Sequence, residues 1–330
     1  MDSRLLKKLG NIDQIAGIRN AEIIGGRGED IRIAEFYNAA GLRFTVVPDL
    51  GMDLFELSYK GVNFSFQSKN GMTSPQAFNA MNGEFAEQWP GGMMVTCGLD
   101  NVGGHTSEGG IFPTHGRIGY VPAKHFGTEA YWDGDRYILC AHGQIHQTKM
   151  YSRHLEIRRT ITTEMNSRTI RIHDIITNYE AEDEPYMLLY HVNFGWPLLA
   201  AETTVEVPDG VTTVPMNELS TDHVHMMEPV DGRTEELYLH TDFGKTGEGR
   251  IWNGALGLGA YVRFNTDNLP NLMEWKNMKS HDYVLALEPC NTFNIDRTEA
   301  SKQGKIAVIP AYSSIENELE IGILDAAAEE

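Results

Sequence analysis

The chain has few cysteines, no long apolar run and no cluster of basic residues. Its three cysteines, Cys97, Cys140 and Cys290, are odd in number, far apart and without a CxxC pair. This spacing argues against a disulfide framework or a cysteine zinc site and fits a reducing compartment. No apolar stretch approaches the roughly 20 residues that a membrane-spanning helix needs. The first residues also lack the apolar segment and cleavage site of a secretory signal. We therefore expect a cytoplasmic protein.

Basic residues are scarce. The 330 residues include 27 Lys and Arg against 46 Asp and Glu, a formal net charge of −19. Because phosphate backbones are bound by basic surfaces, we expect no nucleic-acid partner, and anionic membranes are disfavoured for the same reason. A neutral small molecule fits this charge most easily. A phosphorylated ligand stays open, since a local pair of Arg or Lys can outweigh the global charge. The sequence leaves the oligomeric state open.

Short runs of alternating apolar and polar residues dominate the chain after about residue 30. Such runs between turn residues indicate antiparallel strands, and the absence of helix–strand alternation predicts an all-β sandwich forming one domain over 1–330. The apolar spacing over 3–18 predicts a short helix in an N-terminal extension, residues 1–20. The predicted strands cover 31–37, 42–48, 54–59, 61–66, 137–143, 155–163, 169–179, 186–194, 203–207, 235–241, 255–265, 283–288, 305–312 and 318–324.

The segment 68–113 breaks the strand pattern. It is rich in Gly, Asn, Met, Ser and Pro and shows no sustained alternation. We interpret it as a long excursion with one helix near 76–88. Loops of this length inside compact domains are usually functional.

Three titratable residues stand in or beside strand-like runs. His115 lies in THGRI (114–118), His191 in YHVNFGWPLL (190–199) and Glu288 in LALEPCN (285–291). A carboxyl group at the end of a buried strand is poorly solvated and can act as a base near neutral pH, where imidazole also exchanges protons. The alternatives are structural: a solvent-facing or Lys-paired glutamate, a core histidine bonded to a backbone carbonyl, and a loop histidine without a role.

Other histidines have spacings that can bind metal. His142 and His146 form one pair, and the HxH pair His223 and His225 would point both rings to one face of a strand. A cupin-like barrel uses such pairs together with a carboxylate, so a metal-dependent isomerase is an alternative class. No third and fourth ligand follow at firm spacing. We therefore interpret these histidines as solvent-facing and predict no metal and no cofactor.

Several phrases together resemble the aldose 1-epimerase (galactose mutarotase-like) superfamily, in a bacterial, largely uncharacterised branch. Besides the three stretches above, these are GMDL (51–54), GLDNVG (98–103) and EWK (274–276). The resemblance spans about residues 40–292. It implies a β-supersandwich of antiparallel sheets, one of which holds a sugar, and an isomerase that interconverts the anomers of an aldose or modified sugar without a cofactor.

The resemblance also implies roles. Glu288 falls where the superfamily places its general base, His191 where it places its general acid, and His115 where a second histidine steadies the substrate. Further residues proposed to bind substrate are Arg117, whose guanidinium can present a fixed fork to a ligand oxygen, and Asn101, Trp275 and Lys276. Two alternatives stay open: a hexose-phosphate mutarotase, which requires two or more converging Arg or Lys, and a sugar-binding or sensing protein without catalysis.

Overall fold

The computed structural model describes residues 7–79, 84–108, 110–293 and 296–328. Strands dominate these residues. In chain order they are β1 (Gly17–Glu22), β2 (Arg32–Tyr37), β3 (Leu42–Val47), β4 (Asp53–Tyr59), β5 (Val62–Asn63), β6 (Met94–Leu99), β7 (Lys124–Asp133), β8 (Arg136–Thr148), β9 (His154–Glu164), β10 (Thr169–Asn178), β11 (Glu184–Phe194), β12 (Thr203–Glu206), β13 (Thr212–Pro215), β14 (Glu236–Thr241), β15 (Thr246–Asn253), β16 (Leu258–Asn265), β17 (Asn271–Lys279), β18 (Asp282–Cys290), β19 (Ala307–Ile309) and β20 (Ser314–Asp325).

Helices are few and short in the described part of the chain. The α-helices are α1 (Glu84–Gln88) and α2 (Arg297–Lys302), and single turns of 3-10 helix cover Ile12–Gln14, Gly26–Gly28, Pro75–Ala77, Ile118–Tyr120 and Ala326–Ala328. None of these helices is long and apolar enough to cross a membrane.

The strands form two sheets that pack face to face. The first has twelve strands in the order β1-β2-β3-β4-β6-β11-β18-β17-β14-β13, with β5 added beside β4 and β19 beside β11. The second has eight strands in the order β12-β15-β16-β20-β10-β9-β8-β7. Neighbouring strands pair antiparallel throughout, as in β8–β9 and β17–β18. This confirms the predicted all-β sandwich of antiparallel sheets.

The main apolar core lies between the sheets, and its burial pattern explains the sequence pattern of each strand. On β10, buried residues alternate with partly exposed ones, because only one face of that strand meets the core. On β11 and β18, nearly every residue is buried. These two central strands are covered on both faces, so they appear in the sequence as continuous apolar runs rather than alternating ones.

The structure differs from the sequence prediction at the N-terminus. Residues 3–6 of the predicted helix lie outside the described residues. The rest of that stretch holds only the 3-10 turn Ile12–Gln14 and the start of β1, which pairs with β2 from Gly17↔Tyr37 to Glu22↔Arg32. Pairing with an existing sheet edge therefore prevails over the helical spacing of a few apolar residues.

The excursion at 68–113 is also more structured than its composition indicates. It contains β6, which is central in the twelve-stranded sheet between β4 and β11. The predicted helix near 76–88 falls into two pieces, Pro75–Ala77 and α1, with residues 80–83 outside the described part. Strands β1, β6, β7, β13, β15 and β17 were not predicted over their main length, and four of the six lie at or next to a sheet edge.

Candidate active site

His191 and Glu288 stand opposite each other on neighbouring strands. The β11–β18 register pairs Val192 with Leu287 and Leu189 with Cys290, so position 191 faces position 288 across the strands. Side chains at directly opposite positions point to the same face of a sheet. His191 Nε2 therefore lies 3.0 Å from Glu288 Oε1. Both residues are nearly buried, with 5% and 4% of their surface exposed.

A neighbouring amide fixes the orientation of the His191 ring. Asn193 Nδ2 donates hydrogen bonds to the carbonyls of Gly92 and His191, both at 2.9 Å. The amide oxygen must therefore face His191 Nδ1, from which it accepts a hydrogen bond at 2.5 Å. This contact keeps the proton on Nδ1 and leaves Nε2, the atom beside Glu288, as the nitrogen that can gain or lose one.

His115 reaches the same place from a tight turn. Its φ is +55°, and that of Gly116 is +73°. The turn is held against β6, since the Gly98 amide donates to His115 O and the Arg117 amide donates to Gly98 O. A Cβ atom at position 116 would collide with Gly98 O. The glycine after the histidine is thus required for the backbone to approach this closely.

The His115 ring faces the His191 ring edge-on, with ring centroids 5.7 Å apart. Burial lowers the pKa of His115 to about 3, and the neighbouring charge of His191 acts in the same direction. His115 is therefore neutral at physiological pH. A neutral imidazole can donate or accept a hydrogen bond, but it is a poor source of protons for general acid catalysis.

These three side chains line a hollow of about 610 Å³ on the face of the twelve-stranded sheet that points away from the eight-stranded one. Aromatic rings form its walls. The rings of Trp89 and Trp275 each lie 5.4 Å from the His191 ring, and Phe85 lies 5.2 Å from His115. Hydrophobic walls with a few polar groups are typical of small-molecule sites, which range from about 300 to 1,000 Å³.

The outer part of the hollow carries more acidic than basic groups. Asp282, Glu235 and Asp296 line it together with Lys69. Lys69 Nζ pairs with Asp282 at 2.8 Å, and Glu235 accepts a hydrogen bond from Trp275 Nε1 at 2.8 Å. Among the described lining residues, no second Lys or Arg accompanies Lys69.

Within the described part of the chain, three buried polar atoms of the hollow lack a hydrogen-bond partner: Glu288 Oε1, His115 Nδ1 and Trp89 Nε1. Glu288 Oε1 is close to His191 Nε2, but the contact lacks the alignment of a good hydrogen bond. Buried polar groups in native proteins are normally satisfied, so each exception needs an explanation. Here the three atoms offer a strong acceptor, a neutral imidazole nitrogen and an N–H donor to one polar ligand.

The proposed substrate-binding residues separate into two groups. Trp275 lines the hollow. Lys276 follows it on β17 and points to the opposite face, where its Nζ donates to the carbonyls of Asp222 and His225. Successive residues of a strand face opposite sides, so Trp275 and Lys276 cannot both face the sugar site while β17 stays regular.

Arg117 and Asn101 are bound to neighbouring protein groups. The guanidinium of Arg117 pairs with Asp100 and donates to Ile111 O. The fully buried Asn101 amide donates to Gly104 O and Pro113 O at 2.9 and 2.8 Å. These contacts stabilise the loop that carries His115. Both residues thus support the histidine turn, and neither is among the residues that line the hollow.

Sequence reasoning missed Trp89, Phe85 and Asn193. The first two belong to the segment 68–113. Phe85 lies in α1 and Trp89 directly follows its C-terminal end, so the four-residue spacing puts both rings on the same side. An i, i+4 aromatic pair is a usable signal for a shared helix face. Asn193 lies two residues after His191 and so on the same face of β11, which the strand period also makes visible.

The comparisons with known proteins agree with this architecture. A family model described as "Domain of unknown function (DUF4432)" matches residues 28–323. No match is found among curated protein sequences. The crystal structure of a "putative aldose 1-epimerase" from Klebsiella pneumoniae has a TM-score of 0.86 and 23% identity, covering 96% of this chain and 90% of that one.

More distant structures share the fold. A galactose mutarotase-like protein from Clostridium acetobutylicum has a TM-score of 0.64 and 13% identity, covering 94% of this chain and 99% of its own. A galactose 1-epimerase from Lactobacillus acidophilus has a TM-score of 0.60 and 10% identity, covering 93% and 98%. The chain therefore belongs to the DUF4432 family, and its two sheets form the galactose mutarotase-like sandwich.

Proposed function

We propose that this protein is an aldose 1-epimerase-like isomerase, which interconverts the two anomers of a sugar by opening and closing its ring. The observation that carries the proposal is the contact of His191 Nε2 with Glu288 Oε1, 3.0 Å apart on the floor of a hollow of about 610 Å³. An imidazole and a carboxyl group in contact can remove one proton and deliver another.

At the start of the proposed reaction, His191 carries a proton on Nε2 in addition to the one on Nδ1, and Glu288 is ionised. Glu288 accepts the proton of the anomeric hydroxyl while His191 donates its proton to the ring oxygen. Both oxygens are bonded to the same carbon, so a neighbouring acid and base can reach them together. The bond between that carbon and the ring oxygen breaks to give the open-chain aldehyde. Rotation about one carbon–carbon bond and the reverse proton transfers close the ring as the other anomer.

Other residues of the hollow have supporting roles in this proposal. Neutral His115 binds a sugar hydroxyl through the nitrogen that lacks a partner. The faces of Trp89 and Trp275 pack against the C–H surface of the ring, as aromatic side chains do with apolar surfaces. Asn193 is a positioning residue, because it holds His191 through Nδ1 and leaves Nε2 directed at the reacting oxygens.

An unphosphorylated sugar is the substrate class that the charges of the hollow favour. A phosphate group is usually bound by several Arg or Lys side chains. The one lysine among the described lining residues, Lys69, is already paired with Asp282, and Glu235 and Asp296 add negative charge nearby. These groups would repel a phosphate, whereas carboxylates accept hydrogen bonds readily from sugar hydroxyls.

Polarimetry or NMR of freshly dissolved sugars tests the proposal directly. A panel of aldoses, uronates and sugar phosphates should include neutral sugars whose anomers equilibrate faster with the protein. Glu288→Gln should lower this rate by about 10²–10⁴-fold, the range typical of removing one acid–base group. Glu318→Gln is the matched control, because it makes the same change at an exposed carboxylate on β20 of the other sheet, and it should leave the rate unchanged.

The results separate the alternatives. Sugar binding by calorimetry without acceleration on any member of the panel would favour a binding or sensing protein. Acceleration confined to sugar phosphates would overturn the substrate class proposed above.

A further inference from the structure

A second cluster of titratable side chains lies on the other face of the twelve-stranded sheet. Glu274 on β17 and His240 on β14 are both fully buried, and His223 comes from the β13–β14 loop, defined here as residues 216–235. The donor atoms of the three residues all lie within 4.8 Å of one another. The flanking residues Met273 and Trp275 point to the hollow, so the two sites are back to back across one strand.

The distances match those of a zinc site. Glu274 Oε2 lies 3.1 Å from His240 Nε2, with which it forms a hydrogen bond in the absence of an ion, and 3.6 Å from His223 Nδ1. A tetrahedral Zn²⁺ ion held at about 2.0–2.2 Å by each ligand places neighbouring ligand atoms roughly 3.3–3.6 Å apart. The distance from each imidazole nitrogen to the carboxylate oxygen is therefore close to the one expected when all three atoms bind the same ion.

The cluster has unused bonding capacity. Glu274 Oε1 and His223 Nδ1 are buried and have no hydrogen-bond partner among the residues that the structure describes. Within the described residues, Glu274 also has no ion pair with Lys or Arg, since Lys276 and Arg233 pair with Glu236 instead. Burying an ionised carboxylate is costly unless it is paired or bound to a metal. A divalent cation would satisfy both the carboxylate and the free imidazole nitrogen.

A supporting contact orients His240. Its Nδ1 lies 2.9 Å from Thr213 Oγ1, on the side of the ring away from Glu274. Metal-bound histidines almost always use their other ring nitrogen in such a hydrogen bond, which fixes the tautomer and leaves the lone pair on the metal side. The His223 side chain is 24% exposed although its Nδ1 is buried, so the loop side of the cluster is the side nearest to solvent.

We propose that His223, His240 and Glu274 bind one divalent metal ion of the zinc type. The ion would attach the β13–β14 loop to the sheet, next to Lys276, which already holds the same loop through Asp222 O and His225 O. The far end of that loop carries Glu235, the hydrogen-bond partner of Trp275 in the wall of the hollow. The inference does not depend on the proposed isomerase activity.

The proposed ligands are not the HxH pair, His223 and His225, that the sequence analysis considered. His225 pairs with Asp222 on the outside of the loop at 3.0 Å and is 68% exposed. Only His223 of that pair joins the cluster, and its partners are 17 and 51 residues further along the chain. This gives a matched control within three residues of the proposed ligand.

Zn²⁺ titration of the untagged full-length protein by calorimetry, after chelation and dialysis, tests the proposal. We expect one Zn²⁺ per chain. His223→Ala should weaken binding by more than about 100-fold, beyond the loss typical of a residue that only supports a ligand. His225→Ala should leave the affinity within about threefold, since that side chain contacts none of the ligands. Thr213→Val should weaken binding by about tenfold, because it removes only the supporting contact.

Co²⁺ supplies an independent readout, because its visible absorption bands report the coordination geometry. Wild-type protein and His225→Ala should show the strong bands of a tetrahedral site, and His223→Ala should lose them. The proposal is overturned if wild-type protein binds no Zn²⁺, if His223→Ala retains binding within about 100-fold, or if His225→Ala loses binding equally. Far-UV circular dichroism of each variant checks that it is folded.

Discussion

Two buried polar clusters lie on opposite faces of the same strand, one residue apart. Tyr190 of β11 faces the core between the sheets, where its hydroxyl donates to Asp174 at 2.7 Å. His191, the next residue, faces the hollow beside Glu288. We call the cluster around Tyr190 and Asp174 the inner cluster and the one around His191 and Glu288 the outer cluster. Both mix buried charges with hydrogen-bonding groups. They differ in how many of those groups have a hydrogen-bond or ion-pair partner.

Every charged side chain of the inner cluster is paired. Arg159, which is fully buried, donates to both oxygens of Asp174, to Asp53 Oδ1 and to Gly51 O. Asp53 also accepts from the amide and hydroxyl of Thr96. Burial raises the pKa of Asp53 to about 6, while Arg159 and Thr96 act to lower it. These bonds connect β9 and β10 of one sheet to β4 and β6 of the other.

In the outer cluster, Glu288 Oε1, His115 Nδ1 and Trp89 Nε1 have no hydrogen-bond partner among the described residues. The difference indicates a division of roles. A network whose charged groups are all paired stabilises one arrangement of the sheets, whereas groups left without partners beside a cavity are available to a ligand.

The largest effect expected from this comparison is on stability. Arg159→Met would leave Asp53 and Asp174 buried without their cation and should lower the free energy of unfolding by about 3–5 kcal/mol. Urea denaturation at neutral pH measures this change. The control is Arg158→Met, because Arg158 is 56% exposed and surface ion pairs contribute only about 0–1 kcal/mol. Equal stability of the two variants would contradict a structural role for the inner cluster.

In the hollow we expect the reverse result, a large loss of activity with little loss of stability. His191→Asn should lower the rate of anomer interconversion by about 10²–10⁴-fold. The free energy of unfolding should change by less than about 1 kcal/mol, since the Asn amide can keep the hydrogen bond to Asn193 Oδ1 that His191 Nδ1 makes. Polarimetry and urea denaturation of the same preparation provide both numbers. His173→Asn on β10 of the eight-stranded sheet, 41% exposed, should change neither. A destabilised but fully active His191 variant would reverse the division of roles.

The pH dependence of stability should report on His115. In the unfolded chain this imidazole takes up a proton near its ordinary pKa of 6.5, whereas in the folded protein the pKa is lowered to about 3. Between these values the unfolded state binds more protons, so the free energy of unfolding falls as the pH is lowered from about 6.5 towards 3. His115→Gln removes this titration.

Urea denaturation of wild-type protein and His115→Gln at pH 7 and pH 4.5 checks the prediction. The stability lost on acidification should be smaller in the variant. Parallel losses in both proteins would show that His115 takes up its proton normally in the folded state.

The smallest expected effect concerns the wall of the hollow. Trp275→Phe keeps an aromatic face but removes the N–H that donates to Glu235. Loss of one such hydrogen bond typically costs about 0.5–1.5 kcal/mol, so KM for a neutral sugar should rise by a few fold with little change in kcat. Trp132→Phe, on β7 of the other sheet, is the control. An unchanged KM would show that the hydrogen bond from Trp275 to Glu235 does not position this wall for the sugar.

The sequence by itself determined the fold class and most of the strand positions. Strands such as β9 and β10 have the period of two that burial of one face imposes, and β11 and β18 show the continuous apolar runs of strands covered on both faces. Edge strands such as β1 and β7 were not predicted. Neither were β6 and β17, which lie inside the twelve-stranded sheet; β6 stands in the Gly- and Met-rich segment 68–113, which shows no sustained alternation.

The sequence also identified His115, His191 and Glu288, which the structure brings together in one hollow. Only the tertiary structure decided which of their neighbours share that hollow. Trp275 and Lys276 are adjacent in sequence but lie on opposite faces of β17, and Arg117 and Asn101 bind to protein groups of the His115 loop.

The cluster of His223, His240 and Glu274 illustrates the same limit. These residues are far apart in the sequence, because they come from a loop and two strands. The β14–β17 register brings His240 and Glu274 together, and the loop places His223 beside them. Strand period fixes which face a residue takes relative to its neighbours in the chain. Which faces meet, and which polar groups remain without partners there, depends on strand pairing and sheet packing between residues far apart in sequence.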